Sequence, residues 1–370
     1  MGMSTAAPDA DGPPAARGEG SDPGDRSRPG IAATIGNIDA ASDEPLLRAG
    51  IELAFEAVAT ELRAHTPAAT LAAAWSEVLR HGVGAAARIG SGPEAPQWAW
   101  FVSGSGARGE AAPGSDVETM VVLADAVDED AKTALLARAA DVHALLERCG
   151  IPGDANGVLA SRPRFCRRAG SWAEGIEKWT AHPQDDRGVV MTGLLADSTA
   201  VWGSLGVADD ELRAQNLTAV TRNYPVRQAM LQDATAMRAH FPSRLRMFTT
   251  HADAVDLKLV AVDPVVKIAR WAALSANSDA LTTTQRLEAA AVANVLDADD
   301  VSILLDCHQW LVRFRWRIRA AAFLDHRRVS DLVSLSELPP QERATLRSVA
   351  REVAGISRKL TYLASTSAFR

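Results

Sequence analysis

Asp116 and Glu118 stand one residue apart, flanking Val117, directly before the apolar run "TMVVL". On an extended strand, residues i and i+2 share a face. Both carboxylates therefore converge on one side, at a spacing suited to holding a hard divalent cation through oxygen. Upstream lies "SGSGARGE" (103–110), rich in Gly and Ser. Small side chains at Gly104 and Ser105 let backbone N–H groups and a hydroxyl come close to a phosphate chain. Arg108 adds a fork donor for phosphate oxygens. A lone D-x-E is more often the solvated edge of a hairpin. What raises it here is the order: strand, Gly-Ser, acidic pair, apolar strand, helix.

The elements that must carry these residues follow from periodicity. "EPLLRAGIELAFEAVATELRAH" puts Leu46, Leu47, Ile51, Leu53 and Phe55 on a broad helical face after Asp43. "TPAATLAAAWSEVLRHGVGAAARI" predicts a second helix, with Thr66 as N-cap and Pro67 at its first position. "QWAWFVSGS" and "VETMVVL" read as strands, "DEDAKTALLARAADVHALLERCG" as a helix ended by Gly150, and "GVLAS" (157–161) as a third strand. "GVVMTGLLADSTAVWG" (188–203) mixes a helical with an extended stretch. Beyond residue 206 the pattern is helical, including "DPVVKIARWAALSA", entered through Asp263 and Pro264, and "PPQERATLRSVAREVAGISRKL", entered through Pro339 and Pro340. The long "DADDVSILLDCHQWLVRFRWRIRAAAF" has acids at its start and arginines near its end, as the helix dipole favours. The expected organisation is a Gly-, Pro- and Ala-rich disordered tail at 1–40, an α/β domain at 41–205 and a helical domain at 206–370.

That order is the layout of the polymerase-β-type nucleotidyltransferase fold, an α+β architecture followed here by an all-α helical bundle. "GSGARGEAAPGSDVETMVVL" resembles the G-[GS]-x-G-R-x-E-x-x-P-x-S-D-x-D segment of bacterial PII-protein uridylyltransferases. It is similar, more closely, to a nucleotidyltransferase family found after CBS and cyclic-nucleotide-binding domains in bacterial signalling proteins. "GIPGDANGVLASRPRFCRRAGSWAEGIEKW", "LLADSTAVWG" and "DAVDLKLVAVDPVVKIARWAAL" continue that second resemblance. It spans about residues 45 to 365. The resemblance implies a nucleoside triphosphate substrate, Mg²⁺ or Mn²⁺ as the metal, and NMP transfer to an acceptor protein or a small molecule with release of pyrophosphate. Carried over by position, Gly104, Ser105, Arg108 and Glu110 bind the phosphates, while Asp116 and Glu118 ligate metal. Glu118 departs from the family's Asp by one methylene. A third carboxylate is expected, either Asp154 at the entry to the third strand or Asp197, with Asp154 favoured for catalysis.

The rival reading is a regulator that keeps the fold and binds nucleotide or a partner without transferring anything. A third is a toxin-like transferase acting on tRNA. The formal net charge of −7 and pI near 5.7 argue against that one and against broad nucleic-acid binding. Cys149, Cys166 and Cys307 show no metal-ligand spacing, and no apolar run reaches membrane length. The expected setting is cytoplasmic. Arg162, Arg164, Arg167 and Arg168 could hold phosphate or form a solvated basic helix start. Trp172 and Trp179 share a helical face and read as core. Asp263, Lys267 and Arg270 could face the cleft, and His308 reads as a core histidine.

Overall fold

The computed structural model describes residues 30–92, 97–208, 210–236, 253–325 and 327–367. Three helices come first: α1 (Ile31–Ala40), α2 (Glu44–Arg63) and α3 (Ala68–Ser91). The Asp43 side chain caps α2 by accepting from the Leu46 N–H, and Leu47, Ile51, Ala54 and Val58 bury one face of it. α1 falls within the stretch expected to be disordered. Ile31 and Ile38 are buried against α2 and α3, so this short segment has enough apolar contact to fold. Residues 1–29 of the expected tail lie outside the described residues. Thr66 does not cap α3. Its hydroxyl donates to Glu61, and Pro67 takes the N-cap position.

The sheet follows. β1 (Trp98–Ser103) runs antiparallel to β2 (Glu118–Leu123), with a short helical turn, α4 (Gly104–Ala107), at the start of their connection. All six β1 residues are buried because both faces of the sheet are covered. Trp98, Trp100 and Val102 face the core shared with α2, α3 and α5 (Glu129–Arg148). Ala99 and Phe101, with Met120 and Val122 of β2, face the opposite core. The Asp128 carboxylate caps α5, and Gly150, at φ +85°, follows its end.

The third strand is not at 157–161. Residues 152–158 run beside β2 through hydrogen bonds from the Val117 N–H to the Pro152 carbonyl and from the Thr119 N–H to the Val158 carbonyl. The ladder itself resumes at β3 (Cys166–Arg168), parallel to β2. Then come α6 (Ala169–Ala181), α7 (Gly188–Ala196) and β4 (Thr199–Gly203), which joins the free edge of β1 to give the order β3-β2-β1-β4. The mixed reading of 188–203 is thus resolved into a helix followed by a strand.

The C-terminal part is predominantly helical: α8 (Glu211–Arg222), α9 (Tyr224–Ala236), α10 (Asp263–Ser275), α11 (Thr283–Val292), α12 (Ala298–Leu324) and α13 (Pro340–Ser367). A two-stranded ribbon, β5 (Ala254–Asp256) with β6 (Leu332–Ser334), supplements them. α10 does not start at Asp263 as a fresh helix. A π-helical turn, Lys258–Val262, leads straight into it. α12 joins the two parts: Leu304 and Leu311 sit in the C-terminal core, while Trp316 and Ala320 sit in the core of the first. Among the described residues, no helix is long and apolar enough to cross a membrane.

Candidate functional site

A cavity of about 460 Å³ opens between the sheet and the helical part. Gly104, Ser105, Arg108, Glu110, Asp116, Glu118 and Asp154 all line it. Facing them are Lys258, Asp263, Lys267 and Arg270 from the π turn and α10, with His308 and Arg315 from α12. A second cavity, of about 470 Å³, lies along β4 and contains none of the sequence-predicted acids.

The loop between β1 and β2 is held from several sides. The Ser103 hydroxyl donates to the Leu194 carbonyl of α7. The Ala111 N–H donates to Ser76 of α3. The Trp316 indole and the Arg319 guanidinium donate to the carbonyls of Ala111 and Pro113, at 3.0 Å each. With its ends tied this way, the loop delivers Asp116 and Glu118 into the cavity on the face that Met120 and Val122 continue below.

Neither Asp116 nor Glu118 accepts a hydrogen bond or joins an ion pair among the described residues. Burial pushes the Glu118 carboxyl up to about 7, opposed by Arg108 and Lys258 and reinforced by Asp154. A carboxylate enclosed without a partner is costly, and a cation relieves that cost. Gly104 completes the arrangement. Its φ is +66°, which favours glycine, and a Cβ there would collide with the Glu118 carboxylate. The Glu118 carboxylate thus occupies space that a side chain at position 104 would take. The ligand atoms of Asp116 and Glu118 are oxygens, which fits Mg²⁺ or Mn²⁺. Among the described residues no set of three or more His, Cys, Asp or Glu is grouped to hold a metal. Two carboxylates suit a metal whose shell is completed by phosphate oxygens and water.

The two candidates for a third acid differ sharply. Asp154 is buried beside the pair, its N–H donating to the Val117 carbonyl at 3.1 Å. Its carboxylate oxygens accept from Asn156 Nδ2 and the Val158 N–H, so it also stabilises its own turn. Asp197 is fully buried and bound by three guanidiniums, those of Arg108, Arg270 and Arg286. Burial alone would raise its carboxyl, but those cations hold it far below the usual carboxylate range. Asp197 thus lines the cavity already neutralised by its own arginines.

The same cluster changes the reading of Arg108 and Glu110 as phosphate binders. The Arg108 fork is occupied by Glu110 (2.8 Å) and Asp197. Glu110 also accepts from the Thr283 N–H of α11 at 2.9 Å. Despite its burial, the Arg108 and His308 charges and these hydrogen bonds hold the Glu110 carboxyl down at about 2. Both residues line the cavity, and their polar atoms tie the loop between β1 and β2 to the helical part.

The basic cluster at 162–168 is not in the cavity. Arg164 pairs with Asp186, Arg168 with Glu129, and Arg167 lies over the Trp172 and Trp179 rings at 5.6 and 5.1 Å. Both tryptophans are core residues, as their spacing predicts. Asp263, Lys267 and Arg270 do face the cavity. His308 is buried, yet it also lines the cavity, with Nε2 3.6 Å from Glu110 and no hydrogen-bond partner among the described residues. Lys258, Asn156 and Arg286 join the polar network around the cavity without belonging to any motif in the sequence. Lys258 sits in the quoted "DLKLVAVDP" segment, so its place before a helix could have flagged it. Nothing local marks Arg286, whose partner is 89 residues away.

Two family models match the chain. Residues 51–186 match one described as "Putative nucleotidyltransferase DUF294", and residues 225–363 match one described as "Putative nucleotidyltransferase substrate binding domain". No curated protein matches. The chain carries the domain pair of this nucleotidyltransferase-related family, and the cavity opens between the two matched regions.

Proposed function

We propose that the cavity performs metal-dependent nucleotidyl transfer from a nucleoside triphosphate to a hydroxyl-bearing acceptor. The observation that carries this reading is the pair Asp116 and Glu118, without hydrogen-bond or ion-pair partners among the described residues, set against the Gly104–Ser105 loop in a chain with this domain pair. Asp116 and Glu118 would hold Mg²⁺ or Mn²⁺. When bound, the metal supplies charge neutralisation for the phosphates and for the departing pyrophosphate. Ser105, whose hydroxyl has no partner among the described residues, is free to donate to a phosphate oxygen. The apolar wall of Val189, Val190, Val262, Val266 and Leu311 offers a dry face for the nucleoside or the acceptor.

In the transfer, the acceptor oxygen bonds to the α-phosphorus and the bond to the pyrophosphate oxygen breaks. The hydroxyl proton passes to Asp154, whose carboxylate retains lone pairs beyond its two turn hydrogen bonds. The resemblance to protein uridylyltransferases supports a protein acceptor, and the family's association with sensor domains supports a signalling role.

A second reading has its own support. Asp154 is partly occupied and no three-acid group forms among the described residues, as in a regulator that binds nucleotide without chemistry. Purified protein, Mg²⁺ or Mn²⁺, each labelled triphosphate and a cell extract separate the two. Transfer predicts label incorporation that disappears in Asp116→Ala. Nucleotide binding with neither incorporation nor pyrophosphate release for any of the four triphosphates selects the regulator.

A further inference from the structure

The cavity wall carries several basic side chains, and their partners decide which can meet a ligand. Arg108 and Arg270 are bound to Asp197, Lys267 to Asp233 and Arg315 to Asp331. Lys258 is different. It lines the same cavity, is exposed, and its side chain has neither an ion pair nor a hydrogen bond among the described residues. It lines the cavity together with Glu118 and Asp263, and its charge acts on both carboxyls.

The backbone beneath Lys258 is unusual as well. The residue opens the π-helical turn Lys258–Val262 between β5 and α10. Asp256 Oδ1 steadies the entry by accepting from the Leu259 N–H at 3.1 Å. A π turn is less favourable than an α-helical one and is found most often where a helix presents functional groups. Here it places a flexible cationic side chain at the mouth between the two parts of the molecule.

A polyphosphate entering this cavity faces Asp116, Glu118, Asp154 and Asp263. Even with a metal bound, a triphosphate remains an anion. It needs a cation whose donors are not already taken. We infer that Lys258 is the clamp on the polyphosphate tail of the ligand, reaching from the helical part to phosphate oxygens lodged near the Gly104–Ser105 loop. The inference rests on the reading of the cavity as a triphosphate site. A lysine suits the task, because three rotatable donors on a four-carbon stem can follow oxygens whose positions change on entry and release. It also supplies a specificity rule: ligands with two or three linked phosphates gain from Lys258, and a monophosphate gains little.

The test is a calorimetric titration of the full chain with inorganic tripolyphosphate and Mg²⁺, a probe that carries no base. Lys258→Ala is expected to weaken binding about tenfold or more, the loss of one charge-assisted contact. Lys258→Arg is expected to stay within about threefold of the parent, because the charge is kept. The residue is exposed, so the thermal midpoint of either variant is expected to match the parent. Tripolyphosphate binding by Lys258→Ala at the parent's affinity overturns the clamp while leaving the transfer reading standing. Lysine-dependent binding without label incorporation from any triphosphate leaves the clamp standing and removes the transfer reading. No tripolyphosphate binding by the parent removes both.

Discussion

Two groups of carboxylates share one cavity and have opposite circumstances. Asp197 and Glu110 are saturated: guanidiniums from Arg108, Arg270 and Arg286 and the Thr283 N–H account for their oxygens. Asp116 and Glu118, on the neighbouring loop and strand, have no such partner among the described residues. The first group spans the sheet domain, α10 and α11, and fixes the two parts against each other. The second is presented to whatever enters. Saturation with arginine leaves the first group neutralised in place, and the second group has carboxylate oxygens without such partners among the described residues. The positive excess of three guanidiniums over two carboxylates also makes that latch a standing source of favourable potential for an anion nearby.

The contrast can be broken at either end. The largest effect belongs to the latch. Asp197→Ala leaves Arg286 buried with an uncompensated charge, and breaking a buried pair in this way costs about 3–5 kcal/mol. Chemical denaturation is expected to show that loss, with binding affected only through the shared fold. A loss under about 1 kcal/mol would mean that the cluster is not structural.

A smaller effect, of opposite sign, belongs to Glu118. Its folded-state pKa, about 7, lies above the ordinary value of 4.5. Between those two values the folded state holds a proton that the unfolded state has released. Stability contributed by this group therefore falls as pH rises from about 4.5 to about 7 and is level above that. Glu118→Gln removes this dependence and is expected to raise stability above neutral pH by roughly 1–3 kcal/mol in the absence of metal. Metal affinity of the parent is expected to climb over the same window, since the ligand must be deprotonated. Denaturation curves at acid, neutral and alkaline pH check the sign, and a destabilised Glu118→Gln across all three would contradict it.

What could be read in the sequence, and what could not, follows the same division. The D-x-E pair, the Gly-Ser loop and the strands on either side are local patterns, and the structure brings all seven named residues to one cavity. Helices with a clear apolar stripe and a cap, such as α2 behind Asp43 and α5 behind Asp128, were equally legible. The partners of Arg108 were not. Asp197 lies 89 residues away and only folding brings it close, so a guanidinium fit to grip phosphate turned out to be occupied. The third strand was misplaced for a related reason. "GVLAS" has the composition of a strand, but β2 pairs with Cys166–Arg168, a tertiary choice that composition does not record. The arginines at 162–168 looked like a cluster in sequence and are dispersed onto Asp186, Glu129 and two indole rings in space.

Metal-dependent transfer requires Asp116 and Glu118 to be open to a metal. Mn²⁺ binding, followed by electron paramagnetic resonance with a non-hydrolysable triphosphate present, tests it directly in the parent and in Asp116→Asn. Saturable Mn²⁺ binding by the parent is expected, with at least about a tenfold loss in the variant and little change in the thermal midpoint, because the Asp116 carboxylate makes no hydrogen bond or ion pair among the described residues. Equal Mn²⁺ affinity in the two proteins would contradict it.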